Sequence, residues 1–138
     1  MKVAFHKGRK RLFDRVVSWW LRGPYAHCEL VTHIDEWGIA YCISSSFLDG
    51  GVRTKYMVLN PEHWDLIDVG EPAVSISDWC LDHLGKPYDV RGLLGFIWRR
   101  ERGSQRKWFC SEAVADMLGF PQPWRFDPVS LHAALSRK

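Results

Sequence analysis

The strongest constraint on this chain is a change of rhythm partway along it. Between residues 26 and 69, strand-forming residues come in short runs cut by turn signals; beyond Pro72, apolar residues recur at helical spacing. Residues 26–34 alternate, and Asp35-Glu36-Trp37-Gly38 reads as a hairpin connection to a strand over 39–45. Asp49-Gly50-Gly51 is a second turn, leading to strands over 52–59 and 64–69. Four consecutive strands pair most simply as an antiparallel meander. A short strand over 3–6 precedes them. Between it and the meander, Leu12, Phe13, Val16, Val17, Trp20 and Leu21 place a helix over 9–22 that Gly23-Pro24 stops.

In the second half, Pro72 can open a helix whose stripe is Ile76, Cys80 and Leu84, ending at Gly85. Lys86-Pro87-Tyr88-Asp89 is a turn, and 93–98 reads as helical. Cys110, Ala113, Val114, Met117 and Leu118 form one apolar face, stopped by Gly119 with Pro121 beyond. Asp127-Pro128 opens a terminal helix to about residue 135. Strands gathered first and helices gathered later describe an α+β domain. The 138 residues hold no internal repeat or linker, so 1–138 reads as a single domain.

A formal charge of +3 is too small to argue for nucleic acid as a partner. The excess lies in Lys7-Gly8-Arg9-Lys10-Arg11 and Arg99-Arg100-Glu101-Arg102, and such runs are ordinarily solvated surface. The start of the chain has no signal-peptide core, and no stretch approaches the roughly 18 apolar residues of a membrane span. The expectation is a cytoplasmic protein with no integral membrane association, delivered elsewhere only by a non-Sec route. Its four cysteines then read as thiols rather than a disulfide framework. Their spacing matches no zinc module, and no metal or organic cofactor is required. Of eight tryptophans, Trp79 and Trp98 fall in apolar-periodic segments and read as core. Trp37 and Trp124 sit beside turn residues; they read as ordinary half-exposed side chains or, more sharply, as an aromatic platform for a sugar or acyl chain.

Among the cysteines, Cys80 lies on a core stripe, Cys42 sits mid-strand without an activating neighbour, and Cys28 is adjacent to His27 but points to the opposite face. Cys110 differs. It begins a helix on that helix's inward stripe, where unsatisfied N–H groups and the positive end of the dipole stabilise a thiolate. The same position also suits a plain buried cysteine. What favours a nucleophile is the strand bearing His27: there His27, Glu29, Val31 and His33 share one face. A carboxylate two residues away can hold one imidazole nitrogen and leave the other for the thiol. Glu112 cannot share the face of Cys110 and reads as a first-turn acid reaching a backbone N–H. His33 reads as a rim or core residue, and His6, His63, His83 and His132 as structural or surface residues without companions.

His27-Cys28-Glu29-Leu30-Val31, Gly85-Lys86-Pro87-Tyr88-Asp89 and Trp108-Phe109-Cys110-Ser111-Glu112 together resemble the circularly permuted branch of the NlpC-type papain-like cysteine peptidases, the YiiX/YaeF-like proteins. The resemblance spans roughly 3–131, with Gly-x-Pro-Tyr its least specific mark. It implies a papain-like fold with the antiparallel sheet packed on the nucleophile helix, Cys110 as nucleophile, His27 as base and Glu29 as orienting residue. Tyr88 would border the cleft and help hold an oxyanion. The residue after the histidine departs from the pattern, being Cys28 where a β-branched residue is usual. The activity implied is hydrolysis of a peptidoglycan-type amide through a thioester acyl-enzyme, with cell-wall fragments as substrate. The lack of a signal sequence argues against a secreted wall hydrolase and would suit a phage-encoded or intracellular protein delivered by other means. Lipid-directed acyl transfer or ester hydrolysis is the alternative, and a non-catalytic binding module retaining the cleft is the rival. Oligomeric state, and whether a loop over 99–106 caps the site, are left open.

Overall fold

Alternation explains why the first half of the chain pairs as it does, and the computed structural model describes residues 1–7, 12–89 and 108–137. Its strands are β1 (Lys2–Lys7), β2 (Tyr25–Ile34), β3 (Ile39–Ser46), β4 (Gly51–Val58) and β5 (Trp64–Asp68). The helices are α1 (Leu12–Trp20), α2 (Ile76–His83), α3 (Cys110–Met117) and α4 (Pro128–Leu135), with a 3-10 turn at Pro123–Arg125. The domain is α+β. The expected helix over 93–98, Trp98 and the loop over 99–106 lie outside the described residues, as does the start of the 9–22 helix.

The sheet has five antiparallel strands in the order β4-β3-β2-β1-β5. The β2–β3 hairpin is pinned by Asp35, whose Oδ1 accepts from the N–H groups of Trp37 and Ile39 at 2.9 and 2.8 Å. A four-strand meander is not formed. β2, β3 and β4 pair in sequence, but β5 goes to the far edge and pairs with β1, with Val3 opposite Ile67. Two ion pairs dress that pairing, Lys2 with Asp68 and Lys7 with Asp65, both at 2.7 Å. Pairing there gives β1, which would otherwise be an edge, partners for both rows of its backbone groups.

Each face of the sheet carries its own core. Val3, Phe5, Cys28, Leu30 and Ile43 face Ala113, Val114 and Met117 of α3 and Leu131 and Leu135 of α4. On the opposite face Ala4, Val31, Ala40 and Cys42 pack with Met57, Leu59 and Trp64. Burial on both faces is why β2 carries apolar residues on each of them, Leu30 on one and Val31 on the other.

The helices follow their stop signals more closely than their faces. α2 starts at Ile76 rather than near Pro72, because the N–H of Ala73 is engaged by the Met117 carbonyl at 3.1 Å and Ser75 Oγ accepts from the Asp78 N–H. Its anchor is Trp79, which is buried and donates from Nε1 to Asp116 at 2.7 Å, while Cys80 is only partly covered and Leu84 is exposed. Gly119 ends α3 at φ 76°, the left-handed conformation that stops a helix. On α1, Leu12 and Val16 are exposed rather than inward. Trp37 is exposed and Trp124 lies at the border of exposure, as their turn positions implied.

Candidate active site

The site is built where the sheet comes apart. Pairing between β2 and β3 runs from Ile34 opposite Ala40 to Leu30 opposite Ile43, whereas β3 stays paired with β4 as far as Ser46 opposite Gly51. Residues 25–29 of β2 are therefore held by β1 alone, and their inward backbone groups need other partners. Ser44 Oγ donates to the Cys28 carbonyl at 2.7 Å, and Ser45 Oγ donates to the Trp108 carbonyl at 2.6 Å. The segment 108–110 fills the opening. There the Cys28 backbone helps to hold the Cys110 thiol below its ordinary value.

Cys110 is the first residue of α3 and is fully buried. Glu112 reaches back to accept from the Phe109 N–H at 3.3 Å, satisfying one orphan donor of the helix start as its sequence position implied. Burial, with Asp89 and Asp116 nearby, raises the Glu112 carboxyl to about 7 despite that hydrogen bond. Ser111 Oγ donates to the Phe126 carbonyl at 2.6 Å and ties the first turn to the chain ahead of α4. Tyr88 forms a parallel bridge with Trp108, and its ring lies 5.6 Å from that of Phe109 and 5.8 Å from that of Phe47. Burial and the adjacent sulfurs of Cys110 and Cys28 push its phenol upward, so it stays a hydroxyl donor at the edge of the site.

His27 and Cys28 flank the same sulfur from opposite sides of the strand. Both act on the Cys110 thiol and help to hold it low, from opposite faces of the strand. His27 Nε2 meets Glu29 Oε1 at 2.7 Å, which leaves Nδ1 for the thiol. Glu29 itself has no exposed surface. Arg53 grips it with a two-pronged fork at 2.6 and 2.5 Å and is in turn held by Asp49 through Nε at 2.8 Å.

The electrostatics follow from these contacts. Burial alone would raise the Cys110 thiol, but hydrogen bonding from Cys28 and the positive imidazole of His27 bring it down to about 5. Burial alone would lower His27, but the Cys110 thiolate and Glu29 raise it to about 10. The two values belong to the pair, which rests as thiolate and imidazolium at neutral pH. Burial would also raise Glu29, and the Arg53 fork and His27 hold it below the usual carboxylate range instead. The other thiols are ordinary by comparison: burial pushes Cys28 well up, Cys42 up to about 12, and Cys80 upward.

Cys110, His27, Glu29 and Tyr88 are thus brought together, and Arg53 is the residue that sequence reasoning missed. Its one signal was physical: a carboxylate buried on an apolar strand requires a cation. His33 does not continue the face of His27 and Glu29, because a bulge between Val31 and His33 breaks the alternation and leaves it exposed. Three histidines expected to lack companions have them: His83 Nδ1 lies 2.8 Å from the Trp79 carbonyl with its ring stacked on that of Trp79, and the other two are His6 and His132. His6 stands opposite His27 on β1 with its ring 4.8 Å from that of Trp64, and His132 Nε2 lies 3.1 Å from the Tyr25 hydroxyl. Among the described residues, no group of three or more His, Cys, Asp or Glu side chains is arranged to hold a metal ion. No described helix is long and apolar enough to cross a membrane.

Fold and site together define an α+β domain whose antiparallel sheet is opened to receive the N-terminus of a cysteine-bearing helix. Compared with known proteins, the chain matches no family model, no curated protein and no solved structure.

Proposed function

We propose that this protein is a cysteine hydrolase of papain-like type, with Cys110 as nucleophile, His27 as base and Glu29 orienting the imidazole. The observation that carries the reading is a helix-start thiol in contact with an imidazole whose other nitrogen is held by a buried carboxylate at 2.7 Å. The thiolate attacks an amide carbonyl, and His27 gives its proton to the leaving amine. Water, deprotonated by His27, then cleaves the thioester. The Tyr88 hydroxyl and a backbone N–H at the start of α3 are the donors for the oxyanion. The resemblance to permuted NlpC-type peptidases makes a peptidoglycan-type peptide the first substrate class.

A lipid-directed acyl transfer or ester hydrolysis is the second reading, favoured by one surface feature. On α1, Leu12, Val16 and Trp19 lie 77%, 52% and 76% exposed, beside Arg15 and close in sequence to the run from Lys7 to Arg11. An apolar stripe with basic flanks suits an anionic lipid surface.

Hydrolysis of muropeptides and of short-chain acyl esters by the wild type and by Cys110→Ala separates the two classes. Turnover of one class, abolished by Cys110→Ala, supports the enzyme and names its substrate. Iodoacetamide at pH 7 tests the site without a substrate. Cys110 is expected to react well ahead of Cys28, Cys42 and Cys80, with His27→Ala slowing it at least tenfold. Uniform reactivity of all the thiols would favour a non-catalytic binding module.

A further inference from the structure

Whatever bond Cys110 attacks, α1 turns an apolar face to solvent. Leu12, Val16 and Trp19 fall within about 60° of arc at 3.6 residues per turn, and each is more than half exposed. Arg15, also exposed, borders the stripe one turn before Trp19. Beyond the helix, the exposed Arg22 takes a φ of 51°, a left-handed backbone that glycine adopts without strain. The chain carries a cation there instead. Charge is divided to match: residues 7–22 include six basic residues and one acidic one, a net +5, whereas the rest of the chain sums to −2. The contrast is α2. Its Leu81 is more exposed than Leu12 or Trp19, but Asp78 and Asp82 flank it and are themselves exposed. Apolar exposure is common to both helices, and only α1 joins it to positive charge.

We propose that α1 docks the protein on an anionic lipid surface, with Leu12, Val16 and Trp19 entering the headgroup region and Arg15 and Arg22 meeting lipid anions. This goes beyond the lipid-directed reading of the site, because it concerns the surface on which the protein sits and not the bond it breaks. An indole suits that depth, since its ring is apolar and its N–H finds acceptors among the headgroups. The helix has nine residues and spans about 14 Å. It is too short to cross a bilayer and can only lie along it.

Three apolar side chains make a weak anchor by themselves, so a second attraction is required. The cations supply it: each Lys or Arg near an anionic surface strengthens binding about fivefold. Docking should therefore need both parts, the stripe and the charge. A second copy of the chain is a poorer occupant of this face. Apposing two copies of α1 would bring two strongly basic segments together, and like charges across an interface oppose association. A lipid surface of opposite sign meets the stripe and the cations at once.

The test is sedimentation of the full chain with lipid vesicles. Phosphatidylcholine vesicles with about one third phosphatidylserine should carry the protein down at low salt, and phosphatidylcholine alone should not. Binding should collapse at about 1 M sodium chloride, where the Debye length is about 3 Å. Arg15→Glu should weaken it roughly tenfold or more. The double variant Leu12→Ser, Trp19→Ser should bind no better than to phosphatidylcholine, while Leu81→Ser binds as the wild type does. All of these positions are exposed, and circular dichroism checks that the variants fold. Trp19→Phe keeps an apolar ring, so it should still sediment, but with a smaller blue shift of tryptophan emission on docking. No binding to the anionic vesicles, equal binding to both kinds, or binding that survives the double substitution would overturn the proposal. So would self-association of the free protein that the double substitution abolishes, since the face would then belong to a second copy. Cys110→Ala should sediment as the wild type does. A failure of hydrolysis with docking intact therefore removes only the enzyme, and a failure of docking with Cys110 reactive removes only the lipid surface.

Discussion

Glu29 carries a full charge with none of its surface in water, and two cations divide it between them. His27 takes one edge of the carboxylate at 2.7 Å, and the Arg53 fork takes both oxygens. A buried carboxylate stripped of its guanidinium costs about 3–5 kcal/mol, because the remaining charge is left without compensation. Arg53→Met is expected to destabilise the domain by about that much, and the same change made in a Glu29→Gln background should cost markedly less. Denaturant midpoints of the four proteins measure it, and equal costs in the two backgrounds would contradict the coupling. Arg53→Lys should recover part of the loss, since an ammonium supplies charge without the two-pronged geometry. The same set reports on the imidazole. With Glu29→Gln the proton on His27 loses one of its two anionic supports, so the imidazolium should give up its proton below about 10, as followed by NMR titration of the ring.

At the scale of elements, the site depends on how the short stretch 86–88 meets β4. The Lys86 carbonyl accepts from the Val52 N–H at 2.9 Å, and the Tyr88 N–H donates to the Gly50 carbonyl at 3.2 Å. Gly51 allows that approach: at φ 154°, a Cβ there would stand 2.1 Å from the Lys86 oxygen. Gly50, at φ 83°, faces open space. Gly50→Ala should therefore cost only the left-handed backbone strain of about 1 kcal/mol. Gly51→Ala must also push back a neighbouring backbone and should cost at least ~1–2 kcal/mol more. Thermal melts of the two variants make the comparison, and equal losses would mean that the close approach is unimportant. This contact also marks the boundary of what the sequence made legible. Strand lengths, turns and helix stops were readable because alternation, glycine and proline act over a few residues. The shared face of His27 and Glu29 was readable for the same reason. The place of β5 was not, since it depends on which sheet edge is open. Nor was Arg53, which meets Glu29 only through the combined registers of β2, β3 and β4. The opening between β2 and β3 depends on Ser44 and Ser45 replacing a backbone ladder, a choice that no local pattern announces.

The whole molecule sets one mutually dependent charge pair between two apolar cores, so its stability should carry the pair's signature against pH. In the unfolded chain the imidazole titrates near 6.5 and the thiol near 9, while in the folded protein His27 is raised to about 10 and Cys110 lowered to about 5. Between about 6.5 and about 9 the folded zwitterion and the unfolded neutral pair bind the same number of protons, and their contribution is flat. Below that plateau the unfolded imidazole takes a proton that the folded pair does not. Stability falls until the folded thiolate is itself protonated near 5. Above it the unfolded thiol releases a proton that the folded imidazolium keeps, and stability falls as pH rises toward 10. The span on either side corresponds to ~1–2 kcal/mol. Carboxylates held low, Glu29, Asp49 and Asp65 among them, add a further decline as pH drops below their unfolded range of about 4. Urea midpoints taken at pH 5, 7.5 and 10 should trace a dome for the wild type. In Cys110→Ala the alkaline decline should shrink by the part that the pair supplied, but not vanish, because Cys28 and Cys42, both raised in the fold, also keep protons that the unfolded chain releases above about 9. The acid limb should keep only what the carboxylates and an imidazole without its thiolate contribute. A wild-type curve with no alkaline decline, or one that Cys110→Ala leaves unchanged, would mean that the sulfur and the imidazole do not share a proton in the folded protein.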